Sequence, residues 1–428
     1  MGLKRVLIIT YCFPPRLGVA SLRLKGLAKY LSEFGWEPVI LTADLPGTPD
    51  QSFKVIQTPY PGDITALLKK KLGLNSSKGF QEQIGISLAI REGKKSFTRK
   101  LITIIKGLIA YPDEQKCWYS IAVKTGMKIM KEGNFKAIIS SSGPVTTHLV
   151  AKELKIKYNI PWIADLRDLW TQNHNYSYGI LRKWFERRLE VNTLSYADAI
   201  VTVSEPLAEN LSTLHTKKSI FVIPNGFDPE EMMQEPLTKQ FTITYTGQLY
   251  QGKQNPELFL KAISELITQK LIYRNNIEIR FFGPTQYWLE QEIKKYGLVE
   301  VVQQYGIISR EIVLKKQRES QILLFLNWNN PQERGVYTGK LFEYLAARRP
   351  ILAIGGLKGV VSELLEKTGT GIYLSNSIIH LKEVLNLWYK EYKVTGQVVY
   401  RGRDNQVAKY SHREMAKKFA IVLNKFCA

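Results

Sequence analysis

A lysine and a carboxylate stand together at the start of an apolar helix pattern, in the stretch GVYTGKLFEYLAARRP at residues 335–350. Lys340 directly follows Gly339, and Glu343 comes one turn further along the predicted helix. Backbone N–H groups at a helix N-terminus attract anions such as phosphate, and glycine leaves them accessible. Lys340 would add a full positive charge, and Glu343 could accept hydrogen bonds from two ribose hydroxyls. Together these features indicate a site for a nucleotide diphosphate with a sugar attached.

The same stretch also has a purely structural explanation. Thr338 could cap the helix, and Glu343 could simply complement the helix dipole, as acidic residues in first turns do. Spacing alone does not choose between the two explanations, so the other loops that follow strand patterns have to be weighed with this one.

Two further loops in the same half of the chain have complementary chemistry. TYTGQLYQGKQNP (244–256) contains Gly247 and places Lys253 just before a predicted helix, which again suits a diphosphate. QQYGIIS (303–309) follows another strand pattern, and backbone groups of Gly306 and Ile308 could contact a flat base. The structural alternative for Lys253 is a solvated lysine in a turn.

Polar residues also follow strand patterns in the first half of the chain. YCFPPRLGVAS (11–21) offers Arg16 and Gly18, but it is not the GxGxxG fingerprint of dinucleotide-binding proteins. His148 stands in the first turns of a predicted helix, where it could face a ligand, although a lone histidine is more often structural. ADLRDLW places three charged residues at another strand end, where they either face an acceptor or form an ion-paired turn: Asp165, Arg167 and Asp168.

The elements that position these loops alternate between short apolar runs and longer helical patterns, which is typical of parallel sheets covered by helices on both faces. The pattern predicts an α/β protein with two Rossmann-like lobes that face each other across a cleft, and ligands outside the carboxyl ends of the strands. We expect the first lobe at 1–228, with a basic insertion at about 63–110, a linker at 229–240, the second lobe at 241–405, and a last helix at 406–428 that crosses back to the first lobe.

Composition narrows the class of protein and its partners. The 428 residues are 44% apolar and 23% charged, which excludes a disordered chain. No apolar run approaches the roughly 20 residues of a membrane span, the first run lacks a signal cleavage site, and three scattered cysteines form no disulfide framework. A cytoplasmic location is expected. The net charge of +22 favours phosphate-rich partners, and residues 69–106 hold ten Lys or Arg against Glu82 and Glu92.

Several stretches, in this order along the chain, resemble the retaining nucleotide-sugar glycosyltransferases of family 4, which have the GT-B fold. The resemblance covers nearly the whole chain and rests on TYCFPPRLGVASLRLKGLAKYL, YPDEQKCW, SSGPVTTHL, IADLRDLW, VTVSEPLAENL, VIPNGFDPEE, TYTGQLYQGKQNP and GVYTGKLFEYLAARRPILAIGG. It implies that the second lobe binds the donor and that the first supplies most acceptor contacts.

The resemblance also assigns roles. Lys253 matches the basic residue that contacts the donor diphosphate, and Glu343 matches the second glutamate of a Glu-x7-Glu motif, which holds the ribose. Two positions depart from the family pattern: Gly335, where a first glutamate often contacts the sugar, and Arg348, where glycine is usual. We expect Lys253, Lys340 and His148 to be the catalytic residues. We expect nucleotide-sugar contacts from nine residues: Gly18, Gly247, Gly306, Ile308, Tyr337, Thr338, Gly339, Lys340 and Glu343.

The resemblance implies glycosyl transfer with retention, with no cofactor and no metal, since the lysines and loop amides would stabilise the leaving diphosphate and no DxD motif is apparent. The acceptor would be a lipid-linked or growing bacterial envelope polysaccharide, and residues 69–106 could contact an anionic membrane on its cytoplasmic face. Two alternatives remain open: a nucleotide-sugar 2-epimerase of the same fold, and a non-catalytic binder of nucleic acid or anionic membrane. Nucleic acid is not expected, because the basic stretch offers few aromatic residues for base stacking.

Overall fold

The computed structural model describes residues 2–16, 18–48, 50–63, 109–176, 178–328, 330 and 333–427. The chain divides into two compact units: Met1–Ile223 with Ala416–Ala428, and Pro224–Met415. Residues 229–240, interpreted from composition as a linker, belong to the second unit. The basic stretch at 69–106 lies outside the described residues.

The first unit is built on a parallel sheet. In chain order its described strands are β1 (Lys4–Ile9), β2 (Trp36–Ala43), β3 (Lys54–Thr58), β4 (Phe135–Ser141), β5 (Trp162–Asp165), β6 (Ala199–Thr202) and β7 (Ser219–Val222). They are arranged in the order β3-β2-β1-β4-β5-β6-β7. The chain changes direction across the sheet between β1 and β4, which is where ligands bind in sheets of this kind.

Helices cover this sheet because their apolar residues recur at helical spacing. In α3, for example, Val150, Ala151 and Leu154 are fully buried in the same cluster as Leu7 and Ile138 of the sheet. The described helices of this unit, before the C-terminal one, are α1 (Val19–Tyr30), α2 (Tyr119–Glu132), α3 (Thr146–Tyr158), α4 (Ile180–Leu194) and α5 (Glu205–Leu214). Single 3-10 turns lie at Leu31–Phe34 and Lys116–Trp118.

The second unit repeats this architecture with a second parallel sheet. Its strands are β8 (Phe241–Thr246), β9 (Ile277–Phe282), β10 (Val302–Gly306), β11 (Ile322–Leu326), β12 (Ile351–Ile354) and β13 (Gly371–Leu374). They are arranged in the order β10-β9-β8-β11-β12-β13, so the switch point lies between β8 and β11. The loops that leave these two strands contain Gly247 and Trp328.

Both faces of the second sheet are packed against helices. In β11, Ile322, Leu324 and Leu326 face one apolar cluster, and Leu323 and Phe325 face another, because side chains alternate along a strand. The helices are α6 (Glu257–Thr268), α7 (Tyr287–Lys295), α8 (Arg310–Arg318), α9 (Gly339–Ala347), α10 (Val360–Thr368), α11 (Ile378–Thr395) and α12 (Asp404–Val407). Single 3-10 turns lie at Pro229–Glu231, Arg274–Asn276 and Ala408–Tyr410.

The last helix, α13 (His412–Phe426), starts in the second unit and returns to the first at Ala416. Its Phe419 is fully buried, and Asn424 accepts a hydrogen bond from the Trp36 indole N–H at 3.1 Å. The prediction of two Rossmann-like lobes with a returning C-terminal helix is therefore confirmed. In the part of the chain that the structure describes, no helix is both long and apolar enough to cross a membrane.

Candidate active site

Lys340 is the second residue of α9 and is partly buried at the switch point of the second sheet. Its Nζ donates a hydrogen bond to the Tyr245 hydroxyl at 2.5 Å and lies 3.9 Å from the centre of the Tyr245 ring. Burial lowers the pKa of Lys340 to about 7, and the Glu343 carboxylate partly opposes this shift. An anion placed beside this Nζ would stabilise the charged form, so the position favours a negatively charged ligand.

Glycines bring three strand-end loops next to this lysine. A Cβ at Gly247, after β8, would lie 3.2 Å from the Lys340 Nζ. A Cβ at Gly283, after β9, would come within 2.3 Å of the Gly247 carbonyl oxygen, so only glycine fits there. The Gly283 N–H donates to the Gly306 carbonyl at 2.9 Å, and Gly306 ends β10 two residues before the partly buried Ile308. Gly247, Gly306 and Ile308 therefore belong to adjoining loops, as their strand-end positions predict.

Thr338 is the residue before α9, but its side chain makes no capping hydrogen bond. Its Oγ1 is buried and has no hydrogen-bond partner within the described ranges. A buried hydroxyl without a partner costs free energy, and such groups call for an explanation. A ligand oxygen at the N-terminus of α9 would supply the missing partner, so the simple capping explanation of this threonine does not hold.

The neighbours of Thr338 have different environments. Gly339 is the first residue of α9 and is partly buried, at the position where helix N–H groups face an anion. The Tyr337 ring packs edge-on against Phe342 with centroids 5.5 Å apart, at the margin of the apolar cluster below α9. Gly335 is buried and, without a side chain, offers no carboxylate.

Glu343 lies on α9 one turn after the helix start, where two residues of α8 orient its carboxylate. Oε1 lies 3.5 Å from the Arg310 Nε, and Oε2 accepts a hydrogen bond from Gln317 at 3.3 Å. Burial raises the pKa of Glu343, while Arg310 and Gln317 act in the opposite direction. Because both contacts are long and a carboxylate can accept about four hydrogen bonds, Glu343 retains capacity for ligand hydroxyls.

Sequence reasoning missed the residues that hold Glu343. Arg310 donates two hydrogen bonds to the Glu231 carboxylate, at 2.8 and 2.9 Å, and this fixes the guanidinium. Gln317 is fully buried and also donates to the Thr246 hydroxyl at 2.9 Å. Arg310 could have been found, because it follows the helix-capping Ser309 at the end of a strand loop. Gln317 and Glu231 give no such signal.

Lys253 is exposed in the loop between β8 and α6. Its Nζ lies 5.3 Å from the centre of the Trp328 ring, which stacks on Tyr250 with centroids 5.4 Å apart. The next residue, Gln254, is buried and donates to the Leu326 carbonyl at the end of β11. The structure thus anchors the Lys253 loop to the strand that leads towards α9.

In the first unit, Arg16 and Gly18 lie in the exposed loop after β1. Gly18 immediately precedes α1, and the Arg16 guanidinium lies 6.0 Å from the Tyr11 ring centre. This loop adjoins the switch point of the first sheet, which is the position where ligand-contacting loops are expected.

His148 requires a correction. It is fully buried, and its Nδ1 is hydrogen-bonded at 2.8 Å to Ser140, which also accepts from the Trp162 indole. Burial lowers the pKa of His148 to about 4, so the ring is neutral at pH 7. Its Nε2 is buried and has no hydrogen-bond partner among the described residues. The structure therefore corrects the expectation of an accessible, ligand-facing histidine, and we assign His148 no catalytic step.

The three charged residues after β5 separate into two kinds. Asp165 is fully buried, and Arg23 donates to both carboxylate oxygens, at 3.1 and 2.9 Å. It therefore holds α1 against the sheet and takes the structural role of the two considered. Arg167 pairs with the exposed Asp168 at 3.1 Å and donates to the Ser142 carbonyl. These two residues form an ion-paired turn that remains accessible at the strand end.

Comparisons with known proteins agree with this architecture. Residues 77–231 match the family model described as Glycosyltransferase Family 4. No curated protein matches the chain. Sucrose-phosphate synthase from Thermosynechococcus elongatus is 12% identical, with a TM-score of 0.63 over 99% of this chain and 98% of that chain.

Two more solved structures share the fold. HepE from Anabaena, solved in complex with UDP, is 13% identical, with a TM-score of 0.62 over 99% of this chain and 100% of that chain. The lipopolysaccharide outer core galactosyltransferase WaaB is 13% identical, with a TM-score of 0.55 over 98% and 99%. At these identities the likeness establishes the fold, and the site has to be argued from this chain's own residues.

Proposed function

We propose that this chain, a glycosyltransferase with a family 4 domain and the GT-B fold, binds its nucleotide-diphosphate sugar at the N-terminus of α9. It would transfer the sugar, with retention and without a metal, to a lipid-linked or growing envelope polysaccharide. The observation that carries the donor site is the partly buried Lys340, set against Gly247 and beside the buried Thr338 hydroxyl.

Negative charge develops on the diphosphate as the glycosidic bond breaks, and groups aimed at that charge lower the barrier. Lys340 and Lys253 would supply cations, and the amides at the start of α9 would supply the positive end of a helix dipole. Removing one such contact typically costs roughly 3 kcal/mol, or about a hundredfold in rate.

The ribose and the base of the donor would contact other residues near the switch point of the second sheet. Glu343, oriented by Arg310 and Gln317, would accept the ribose hydroxyls. The backbone at Gly306 and Ile308, after β10, would contact the base. Arg16, Gly18 and the Arg167–Asp168 turn are accessible positions after strands of the first unit, and they are proposed to contact substrate.

Independence from metal rests on these cations. Lys253, Lys340 and the amides at the start of α9 would neutralise the charge that develops on the diphosphate. Retention is proposed from the resemblance to family 4. A lipid-linked or polysaccharide acceptor is proposed because a structural neighbour is a lipopolysaccharide galactosyltransferase and because residues 69–106 are strongly basic.

The test begins with a thermal-shift screen of nucleotides and nucleotide sugars, followed by transfer assays on Lys340→Met and Glu343→Gln. We expect a hundredfold or greater loss of transfer with Lys340→Met and weaker nucleotide binding with both variants. Lys409→Met, which removes an exposed lysine elsewhere in the second unit, is the matched control and should behave as wild type.

Transfer at the wild-type rate by both site variants would place the donor elsewhere. NMR coupling at the new anomeric centre reports retention or inversion directly, and activity that disappears in EDTA and returns with Mg²⁺ would contradict the metal-free mechanism. Conversion of the donor sugar to its 2-epimer without an acceptor would instead favour the epimerase alternative.

A further inference from the structure

Helix α4 differs from an ordinary surface helix in which of its residues are buried and which are exposed. Three of its charged residues, Arg182, Glu186 and Glu190, are buried, whereas four large apolar residues in its first two turns are exposed. The exposed fractions of these apolar residues are 89% for Ile180, 72% for Leu181, 47% for Trp184 and 50% for Phe185. A surface helix normally shows the opposite pattern.

Polar contacts fix the inner face of α4. Arg182 pairs with Glu186 at 2.6 Å and donates to the carbonyl oxygens of Ala110 and Pro112, each at 3.0 Å. Glu190 accepts a hydrogen bond from the Thr171 N–H at 3.0 Å. Because these buried groups hold the helix in place, the outward apolar side chains are not part of its attachment to the sheet.

The outward face combines aromatic rings with positive charge. Trp184 and Phe185 contact each other edge to face at 4.8 Å, and the Arg188 guanidinium lies 3.6 Å from the Trp184 ring centre. Lys183, Arg187 and Arg188 are all exposed, while the acidic residues of α4 are buried and paired. The solvent-facing side of this helix is therefore apolar and cationic, without a single exposed carboxylate of its own.

We infer that the outward face of α4 docks the protein on an anionic lipid bilayer. Ile180, Leu181, Trp184 and Phe185 would enter the boundary between headgroups and acyl chains, and the flanking cations would contact lipid phosphates. Helices that lie in this boundary have this composition: aromatic and aliphatic residues together with Lys and Arg. Charge complementarity favours an anionic lipid surface, because the exposed side of α4 carries three cations and neither of the helix's two carboxylates.

The position of α4 gives this docking a direct use. Arg182 holds the Pro112 carbonyl, and the adjacent Asp113 accepts hydrogen bonds from the Thr146 N–H and hydroxyl at the start of α3, just after β4. The N-terminus of α4 therefore lies at the carboxyl edge of the first sheet. If the acceptor is lipid-linked, a point that rests on the proposed function, docking would bring this edge to the membrane that holds it.

The test is co-sedimentation of the full chain with vesicles of neutral phosphatidylcholine, with and without phosphatidylglycerol. We expect binding to the anionic vesicles and quenching of Trp184 by brominated lipid, seen as a difference from Trp184→Phe. Trp184→Ser/Phe185→Ser should bind at least tenfold more weakly. Neutralising Lys183, Arg187 and Arg188 together to Gln should weaken binding on the order of a hundredfold.

The matched control removes equally exposed apolar residues from another helix, with Ile379→Ser/Leu387→Ser in α11, and should bind like wild type. Unchanged binding of the α4 variants would overturn the inference and leave other residues, such as 69–106, as the membrane contact. A wild-type dimer that Trp184→Ser/Phe185→Ser converts to a monomer, without vesicle binding by either, would overturn it in favour of a second copy. Transfer to a water-soluble acceptor reports the active site separately, so failure of docking and failure of sugar transfer are distinguishable.

Discussion

At the scale of single residues, the environment of Lys340 depends on a partner that is distant in sequence. Tyr245 lies inside β8. Its hydroxyl accepts a hydrogen bond from the Lys340 Nζ and donates one to the Gln248 carbonyl at 3.0 Å. The sequence indicates a lysine at a helix start, but it does not indicate that a buried tyrosine desolvates the amine. That desolvation is what lowers the pKa of Lys340 into the physiological range.

The first prediction concerns protons and nucleotide binding. Because the pKa of Lys340 is lowered to about 7, the amine is mostly neutral above that pH, and a diphosphate that raises its pKa must take up a proton. We expect nucleoside diphosphate affinity to fall as pH rises from 7.5 to 9, by up to about tenfold per unit, with proton uptake measured by calorimetry in buffers of different ionisation enthalpy. The terminal phosphate, with a pKa of about 6, is already ionised in this range.

Lys340→Met should bind nucleoside diphosphate weakly, and its affinity should change little between pH 7.5 and 9. The exposed Lys253→Met is the matched comparison and should weaken binding while preserving the proton uptake. Equal proton uptake by wild type and Lys340→Met would contradict this account of the site.

At the scale of elements, the strand-and-helix order followed from the sequence because parallel strands and amphipathic helices have distinct apolar periods. β3 is the exception: its sequence KVIQT is half-buried at the sheet edge and lacks a continuous apolar run. The expectation that ligands bind outside the carboxyl ends of parallel strands also predicted that Gly247, Gly306, Lys340 and Glu343 lie in one region. The same expectation could not show that His148 is buried, because burial in the core depends on long-range packing.

The ends and faces of helices were less predictable than their existence. The pattern around WFERRLEV indicates a helix, but it cannot reveal that Arg182 and Glu186 pair inside while Trp184 points outward. Similarly, Thr338 has the right type for a cap, yet its hydroxyl makes no capping hydrogen bond. Both cases depend on tertiary partners that local sequence does not specify.

The second prediction concerns the end of α9. Arg348 occupies the left-handed C-cap, with φ +54° and ψ +46°, the conformation that glycine adopts most easily. This explains the glycine expected here from the family resemblance. We expect Arg348→Gly to raise the free energy of unfolding by about 1 kcal/mol, because relief of the backbone strain outweighs the loss of a weak ion pair with Asp404 and of the guanidinium contact with the Tyr400 ring at 5.5 Å.

Arg348→Ala is the control, since it loses the same ion pair and ring contact but keeps the strained conformation. Urea unfolding and hydrogen exchange at the end of α9 would compare the three proteins. If Arg348→Ala were as stable as Arg348→Gly, backbone strain at this cap would not be the cause.

At the scale of the whole molecule, the first unit includes residues from the last helix of the chain, α13. Phe419 of α13 is fully buried and lies 5.4 Å from the Arg23 guanidinium. Arg23 in turn makes the buried pair with Asp165. The C-terminal helix therefore completes the packing around the ion pair that holds α1 to the sheet, and the first unit depends on a segment synthesised after the entire second unit.

The third prediction follows from this dependence. Phe419→Ala should lower the free energy of unfolding of the first unit by about 4 kcal/mol, because it leaves a cavity beside a buried ion pair. Ile421→Ala, in the same helix but 60% exposed, should change it by less than about 0.5 kcal/mol. Denaturant unfolding with hydrogen exchange can assign the loss to β1, α1 and β5, while nucleotide binding, which depends on the second unit, should persist. A loss confined to the second unit, or equal losses in the two variants, would show that α13 does not support the first unit in this way.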